Sequence, residues 1–286
     1  MNLTEMVSTD GIVQRTQLTR KLTINGLTKT YPVFKIRLDH LRYNPQNDRI
    51  ATYISQYKAE HNGYLPDVSN IEAYNEIIES FIVSSNEEKL KQTKNNIRMF
   101  EQREPGVILS NGLVIDGNRR FTCLRQLSAE DAKFNWMEAV ILDPEIGDDA
   151  KAIKILELTI QHGEEEKVGY NPIDRLVGVY NDIMQNELLT TEEYANSANM
   201  KTKDVAEMVK QAGYMREFLE FIDAPNQFYI ARDLNIAGPL AEMSGILRAC
   251  PSTEDEEPVK TCVYANLVME PKGDATRFVR KFKKIL

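Results

Sequence analysis

An α+β domain of about 110 residues, followed by an all-helical domain, is the fold class this 286-residue sequence predicts. Three observations carry that reading. Short apolar runs with strand-like alternation recur up to residue 143. An Asn-Gly pair joins two of them. Beyond residue 149 nearly every segment repeats its apolar residues at helical spacing. The change of character places a boundary between Asp143 and Asp149.

Residues 1–30 are polar, Thr-rich and weakly patterned, and they predict an N-terminal tail. Residues 31–38, with Val33, Ile36 and Leu38, predict a strand, and the Asn44-Pro45 stretch a loop. Two helices come next, over 50–61 and 70–83, with Ile50, Tyr53, Ile54 and Tyr57 on the first face and Ile71, Tyr74, Ile77, Ile78 and Phe81 on the second. A third helix spans 87–104 and ends before Pro105. Residues 106–115 read as a hairpin around Ser110-Asn111-Gly112, because Asn-Gly supplies the positive φ values of tight turns. Residues 136–143 form a further strand. Helices are then expected over 150–161 and 171–186, the latter with Asn171 as N-cap and Pro172 in its first turn.

The bulk numbers narrow the function. A composition 42% hydrophobic and 27% charged is that of a globular protein with a real core. A formal net charge of -8 excludes a generic polycation, so any nucleic-acid contact must come from a local patch. Three widely spaced cysteines without a CxxC pair argue against a disulfide framework or structural zinc and fit a reducing cytoplasm. The opening MNLTEMVSTDG lacks the basic and apolar regions of a signal peptide, and no apolar run approaches the roughly 20 residues needed to cross a bilayer. A cytoplasmic location without a membrane partner is expected.

Two segments carry chemistry. In GLVIDGNRRFTCLRQL, residues 112–127, an apolar run meets Asp116-Gly117-Asn118, two arginines and a helical pattern. Asp116 or Asn118 could cap that helix, and Gly117 allows a sharp turn. The first amides of a helix are unpaired and sit at its positive end, a recipe for a phosphate site. Arg119 and Arg120 would add fork-shaped donors. The alternative is a strand-to-helix turn with two solvated arginines. In residues 190–213, small Ala195, turn-tolerant Asn199 and apolar Val205 have the spacing of a helix-turn-helix, although an ordinary helical hairpin uses similar residues. Its basic residues Lys201, Lys203 and Lys210, with Thr202, are the DNA-facing candidates; Glu192, Glu193, Asp204 and Glu207 counter them. The chain's end is basic, with Lys272, Arg277, Arg280, Lys281, Lys283 and Lys284 against Asp274. It reads equally as a DNA- or partner-contacting helix or a solvated amphipathic one.

Taken in order, FKIRLDHLRYNPQNDR, VIDGNRRFTCLR, YNPIDRLVGVY and TTEEYANSANMKTKDVAEMV resemble four landmarks of the ParB family, over residues 31–222. The resemblance implies a ParB/sulfiredoxin-like nucleotide-binding domain at 31–145, with a helical insertion at about 50–86. It also implies a helix-turn-helix domain at 146–224, leaving a C-terminal helical region at 225–286. Members of that family hold CTP with Mg²⁺, close on DNA and dimerise, so the implied ligands are CTP or another nucleotide, Mg²⁺ and DNA, and the implied assembly is a homodimer. The setting would be partition or regulation in a plasmid, phage or other mobile element.

Carried over by position, Gly117, Asn118, Arg119 and Arg120 would form the nucleotide box, with Asn118 where the family usually has Glu and Cys123 where it usually has Ala. The family's Glu-Asn-x-x-Arg motif is not plainly present; ungapped counting puts Gly163, Glu164 and Lys167 there, and a small insertion puts Gln161 and His162 there instead. Glu164, Glu165 and Glu166 could serve as hard oxygen ligands for a metal, or form a solvated acidic loop. The same fold also hosts nucleases and small-molecule kinases. In such an enzyme, or in a CTPase, Asp116 or Glu164 would be the catalytic carboxylate. Sulfiredoxin chemistry needs a cysteine inside the box, and Cys123 falls a full turn too late.

Overall fold

The computed structural model describes residues 2–7, 11–24, 27–142, 150–163, 171–269 and 274–283. The chain divides into two compact units. The first comprises Met1–Ile50, Pro66–Val168 and Glu193–Asn199; the second comprises Ala51–Leu65, Gly169–Glu192 and Met200–Leu286.

The first unit is built on a six-stranded mixed sheet. Its strands are β1 (Val13–Ile24), β2 (Leu27–Arg37), β3 (Arg42–Tyr43), β4 (Gly106–Leu109), β5 (Leu113–Asp116) and β6 (Trp136–Leu142), in the spatial order β1-β2-β6-β4-β5-β3. β3 runs parallel to β5 and β4 parallel to β6, while the other pairs are antiparallel. Strands buried on both faces read as continuous apolar runs, as GVIL and LVI do in β4 and β5. Alternation then sorts the two faces. Val33, Val107, Leu109, Ile115, Val140 and Leu142 pack with Ile153, Leu156 and Ile160 of α5 (Ala150–Gly163) in one core. Toward the other side lie α2 (Ile71–Ser85), α3 (Glu87–Phe100) and α4 (Asn118–Ser128). There the Tyr43 ring lies 4.6 Å from that of Phe121, tilted by 50°, and its hydroxyl shares a 2.8 Å hydrogen bond with Thr122.

The second unit is helical. It contains α1 (Ala51–Glu60), α6 (Pro172–Val179) running into a π-helical turn over Tyr180–Gln185, α8 (Thr202–Phe221), α9 (Phe228–Asp233), α10 (Ala237–Leu247), α11 (Glu256–Val268) and α12 (Ala275–Phe282). The short α7 (Thr191–Ser197) lies mostly in the first unit, where Glu193 pairs with Lys151 at 2.6 Å. Asn171 caps α6 as expected, accepting from the Ile173 amide at 2.9 Å.

Three sequence expectations are corrected here. Residues 13–24 are not a tail but β1, the edge strand of a hairpin. Only Val13 and Leu22 are buried along it, so the run carries no apolar alternation to read. The 50–86 insertion is not one body. Its first helix, α1, belongs to the second unit, where Asp174 accepts from the Thr52 amide at 2.9 Å and Arg232 lies over the Tyr53 ring at 4.2 Å. Its second helix, α2, belongs to the first. Finally, 146–224 is not a self-contained domain, because its segments are divided between the units. Locally, Asn199 adopts φ 49 between α7 and α8 along the chain, and Ala195 and Val205 are each fully buried. Met208 and Val209 are half-buried. No helix among the described residues is long and apolar enough to cross a membrane.

Candidate anion-binding cleft

The start of α4 opens into a cleft of about 290 Å³ within the first unit. The local sequence explains its shape. Opposite Val107 and Ile108 the β4–β5 register shifts, leaving Ile115 as an extra residue just before Asp116. Bulges of this kind bend a strand and re-aim the side chains next to them. Gly117 then turns the chain with φ 98, in the left-handed region, and serves as N-cap of α4. A β-carbon there would lie 2.8 Å from Met137 Cε and 3.3 Å from Arg120 Nε, so both conformation and space call for glycine. Gly117 has no side chain with which to cap the first amides of α4, and residues 117–120, at the helix's positive end, line the cleft.

Capping by Asp116 or Asn118 is therefore corrected. The Asp116 carboxylate turns away from the helix start: its Oδ2 accepts from Arg20 Nη1 at 3.0 Å and from Arg120 Nη2 at 2.9 Å. Arg120 also donates to the Glu104 carbonyl at 2.8 Å. Asp116 thus fixes Arg120 at the cleft rim. Two guanidinium groups on Oδ2 repel a metal ion and occupy the lone pairs of that oxygen. That geometry disfavours Asp116 as the catalytic carboxylate of a kinase or nuclease. Asn118, the first residue of α4, is 6% exposed, and its Oδ1 accepts no hydrogen bond.

Arg49, Arg103, Arg119 and Arg120 line the cleft together with two acids, Glu104 and Asp116. This is the local cationic patch that the net charge of -8 requires of an anion binder. All four box residues come together: Gly117, Asn118, Arg119 and Arg120 share the lining. The insertion contributes as well, because Ile82 and Ser85 of α2 form part of the wall. Sequence reasoning missed Asn47, Arg49, Thr93, Asn96, Gln102 and Arg103. Only the Asn44-Pro45 loop pointed toward the first two. Arg103 lies 4.4 Å over the Phe100 ring at the end of α3.

The remaining candidates lie elsewhere. Glu164, Glu165 and Glu166 fall outside the described residues, and among those described no group of three His, Cys, Asp or Glu side chains could hold a metal. Lys201, Thr202 and Lys203 are exposed at the start of α8, while Lys210 is exposed with Glu207 3.9 Å away. At the C-terminus, Val279 is buried, Arg280 pairs with Glu242 at 2.8 Å, and Arg277 and Lys281 are exposed; Lys272 and Lys284 lie outside the described residues. Cys123 is fully buried and burial pushes its thiol up to about 12, which makes it an inert core residue rather than a redox centre.

No family model and no curated protein matches the chain. Among solved structures it is similar to the C-terminally truncated chromosome-partitioning protein ParB from Caulobacter crescentus complexed with CTP-gamma-S. The two are 12% identical; the match covers 87% of this chain and 98% of that chain, with a TM-score of 0.28. A likeness at that score carries no weight for fold or ligand. The first unit is thus a mixed α/β body with an arginine-lined cleft.

Proposed function

We propose that this protein binds the phosphate chain of a nucleotide in the cleft at the start of α4 and contacts DNA through the start of α8, in the manner of a ParB-like partition or regulatory protein. One observation carries the reading: the left-handed turn at Gly117 opens a helix N-terminus into a cleft lined by four arginines. The amides of the first turn and Arg119 are donors for phosphate oxygens, and Arg120, held by Asp116, is a third source of positive charge. CTP is the first nucleotide to test, on the sequence resemblance alone, and the homodimer is expected on the same ground. Mg²⁺ would arrive on the phosphates, and Glu164–Glu166 are its proposed protein ligands. Lys201, Thr202, Lys203 and Lys210 are the proposed DNA contacts.

Thermal denaturation against CTP, ATP, GTP and UTP with Mg²⁺ tests the nucleotide reading. A ligand at a hundredfold excess over Kd stabilises the native state by about 2.7 kcal/mol. The expected result is stabilisation by one of these nucleotides that disappears in Arg119→Ala. If none stabilises the protein, the reading is wrong. The DNA reading predicts that replacing Lys201 and Lys203 by Ala weakens binding uniformly across sequences and reduces the salt slope by about two. An unchanged slope would remove α8 from the interface.

A further inference from the structure

Arg20 does not line the cleft, yet it holds a carboxylate that does. It lies on β1, and its Nη1 donates to the Pro105 carbonyl at 2.5 Å and to Asp116 Oδ2 at 3.0 Å. Arg120 makes the matching pair of bonds, donating to the adjacent Glu104 carbonyl at 2.8 Å and to the same Oδ2 at 2.9 Å. One carboxylate oxygen is thus shared by two guanidinium groups. The side chains of Arg20, Asp116 and Arg120 are 12%, 15% and 17% exposed. At that exposure water screens the three charges only in part.

The charge balance of this group matters for an anion. Asp116 is useful because it fixes Arg120 at the rim, but its own charge repels a phosphate. Paired with Arg120 alone it would form a neutral couple, and Arg120 would offer the anion little attraction. Arg20 supplies a second cation, so the group of three is net positive. We propose that Arg20 is a positioning residue of the cleft. By neutralising Asp116 it lets that carboxylate hold Arg120 without cancelling its charge, and it thereby sets the affinity for anions. This inference rests on the nucleotide reading above and adds a residue of β1 that tunes the same site. The simpler role for Arg20 is to pin β1 to the start of β4, and the two roles predict different double-variant behaviour.

The test uses the full chain, with inorganic tripolyphosphate and CTP, each with Mg²⁺, titrated calorimetrically. Arg20→Gln keeps a donor for the Pro105 carbonyl and removes the charge, so both ligands should bind on the order of fivefold more weakly, the weight of one unit charge in a partly solvated site. Asp116→Asn keeps an acceptor for Arg120 and removes the opposing charge, so both should bind about fivefold more tightly. Combining the two restores the charge balance, and affinity should return to within about twofold of wild type. Arg20→Lys, which keeps the charge and gives up the fork, should also stay within about twofold. At about 0.5 M salt the spread among the variants should narrow, as screening requires. A double variant as weak as Arg20→Gln, or an Arg20→Lys as weak, would mean that Arg20 acts through structure and would overturn the proposal. So would an Asp116→Asn that binds no more tightly than wild type, a result that does not depend on Arg20→Gln folding. In each of those cases wild-type binding leaves the phosphate reading standing. Wild-type protein that binds neither ligand refutes both.

Discussion

Replacing Lys154 by Met should destabilise the first unit by about 3–5 kcal/mol, the cost of removing one partner from a buried charge cluster. Lys154 lies on α5 with its side chain 3% exposed. Its Nζ is 2.5 Å from Asp48 Oδ1 and 3.6 Å from Glu157 Oε2, and those side chains are 9% and 1% exposed. Without the ammonium, two enclosed carboxylates face each other across a low-dielectric site. The ion cluster as a whole need not favour folding, because desolvation offsets the attraction. Replacing all three groups by neutral ones (Lys154→Met, Asp48→Asn, Glu157→Gln) should therefore recover most of the loss. Urea unfolding monitored by the fluorescence of Trp136, the single tryptophan and a residue of β6, reads this unit directly. A loss below about 1 kcal/mol in Lys154→Met would show that the cluster is solvated, contrary to its burial. The cluster also bears on the cleft, because Asp48 sits between Asn47 and Arg49, which line it. The ion pair anchors that loop to α5.

How much of this was legible in the sequence depends on how each element is stabilised. The β4–β5 hairpin was plain: two apolar runs flank Asn111-Gly112, and Gly112 takes φ 83. The N-cap of α6 and the left-handed Asn199 were equally local signals. The β1–β2 hairpin was not legible, because its exposed edge strand carries Arg, Lys, Gln and Thr where an apolar alternation would otherwise appear. The same dipeptide, Asn25-Gly26, stands between those strands in the sequence and was the one available cue. At the cleft, the glycine and arginines announced themselves because they are adjacent along the chain. Arg49, Thr93 and Arg103 join them only through tertiary packing, which no spacing rule encodes. Lys154 had no signature at all, since a lysine on an amphipathic helix ordinarily faces water. The capping role offered to Asp116 failed for a reason outside its own segment: Arg20, from the β1–β2 hairpin, competes for the carboxylate.

Gly117→Val should abolish nucleotide binding, weakening it on the order of a hundredfold or more, while costing about 1–3 kcal/mol of stability. A φ of 98 is open to glycine and strongly disfavoured for a β-branched residue. The strain can be relieved only by rotating the peptide that begins α4, where the proposed phosphate donors lie. Losing two hydrogen bonds to a charged group, at about 1.5 kcal/mol each, accounts for the hundredfold figure. The added side chain also meets Arg120 Nε at 3.3 Å, pressing on the guanidinium that Asp116 holds at the rim. Gly117→Asn separates the two effects. Asparagine tolerates left-handed backbone, so most of the stability should return. Its β-carbon still crowds Arg120, so binding should recover only in part. Calorimetric titration of the preferred nucleotide, beside urea unfolding of both variants, decides the matter. A Gly117→Val protein that binds within about threefold of wild type, a difference under about 1 kcal/mol, would mean that the start of α4 does not hold the phosphates.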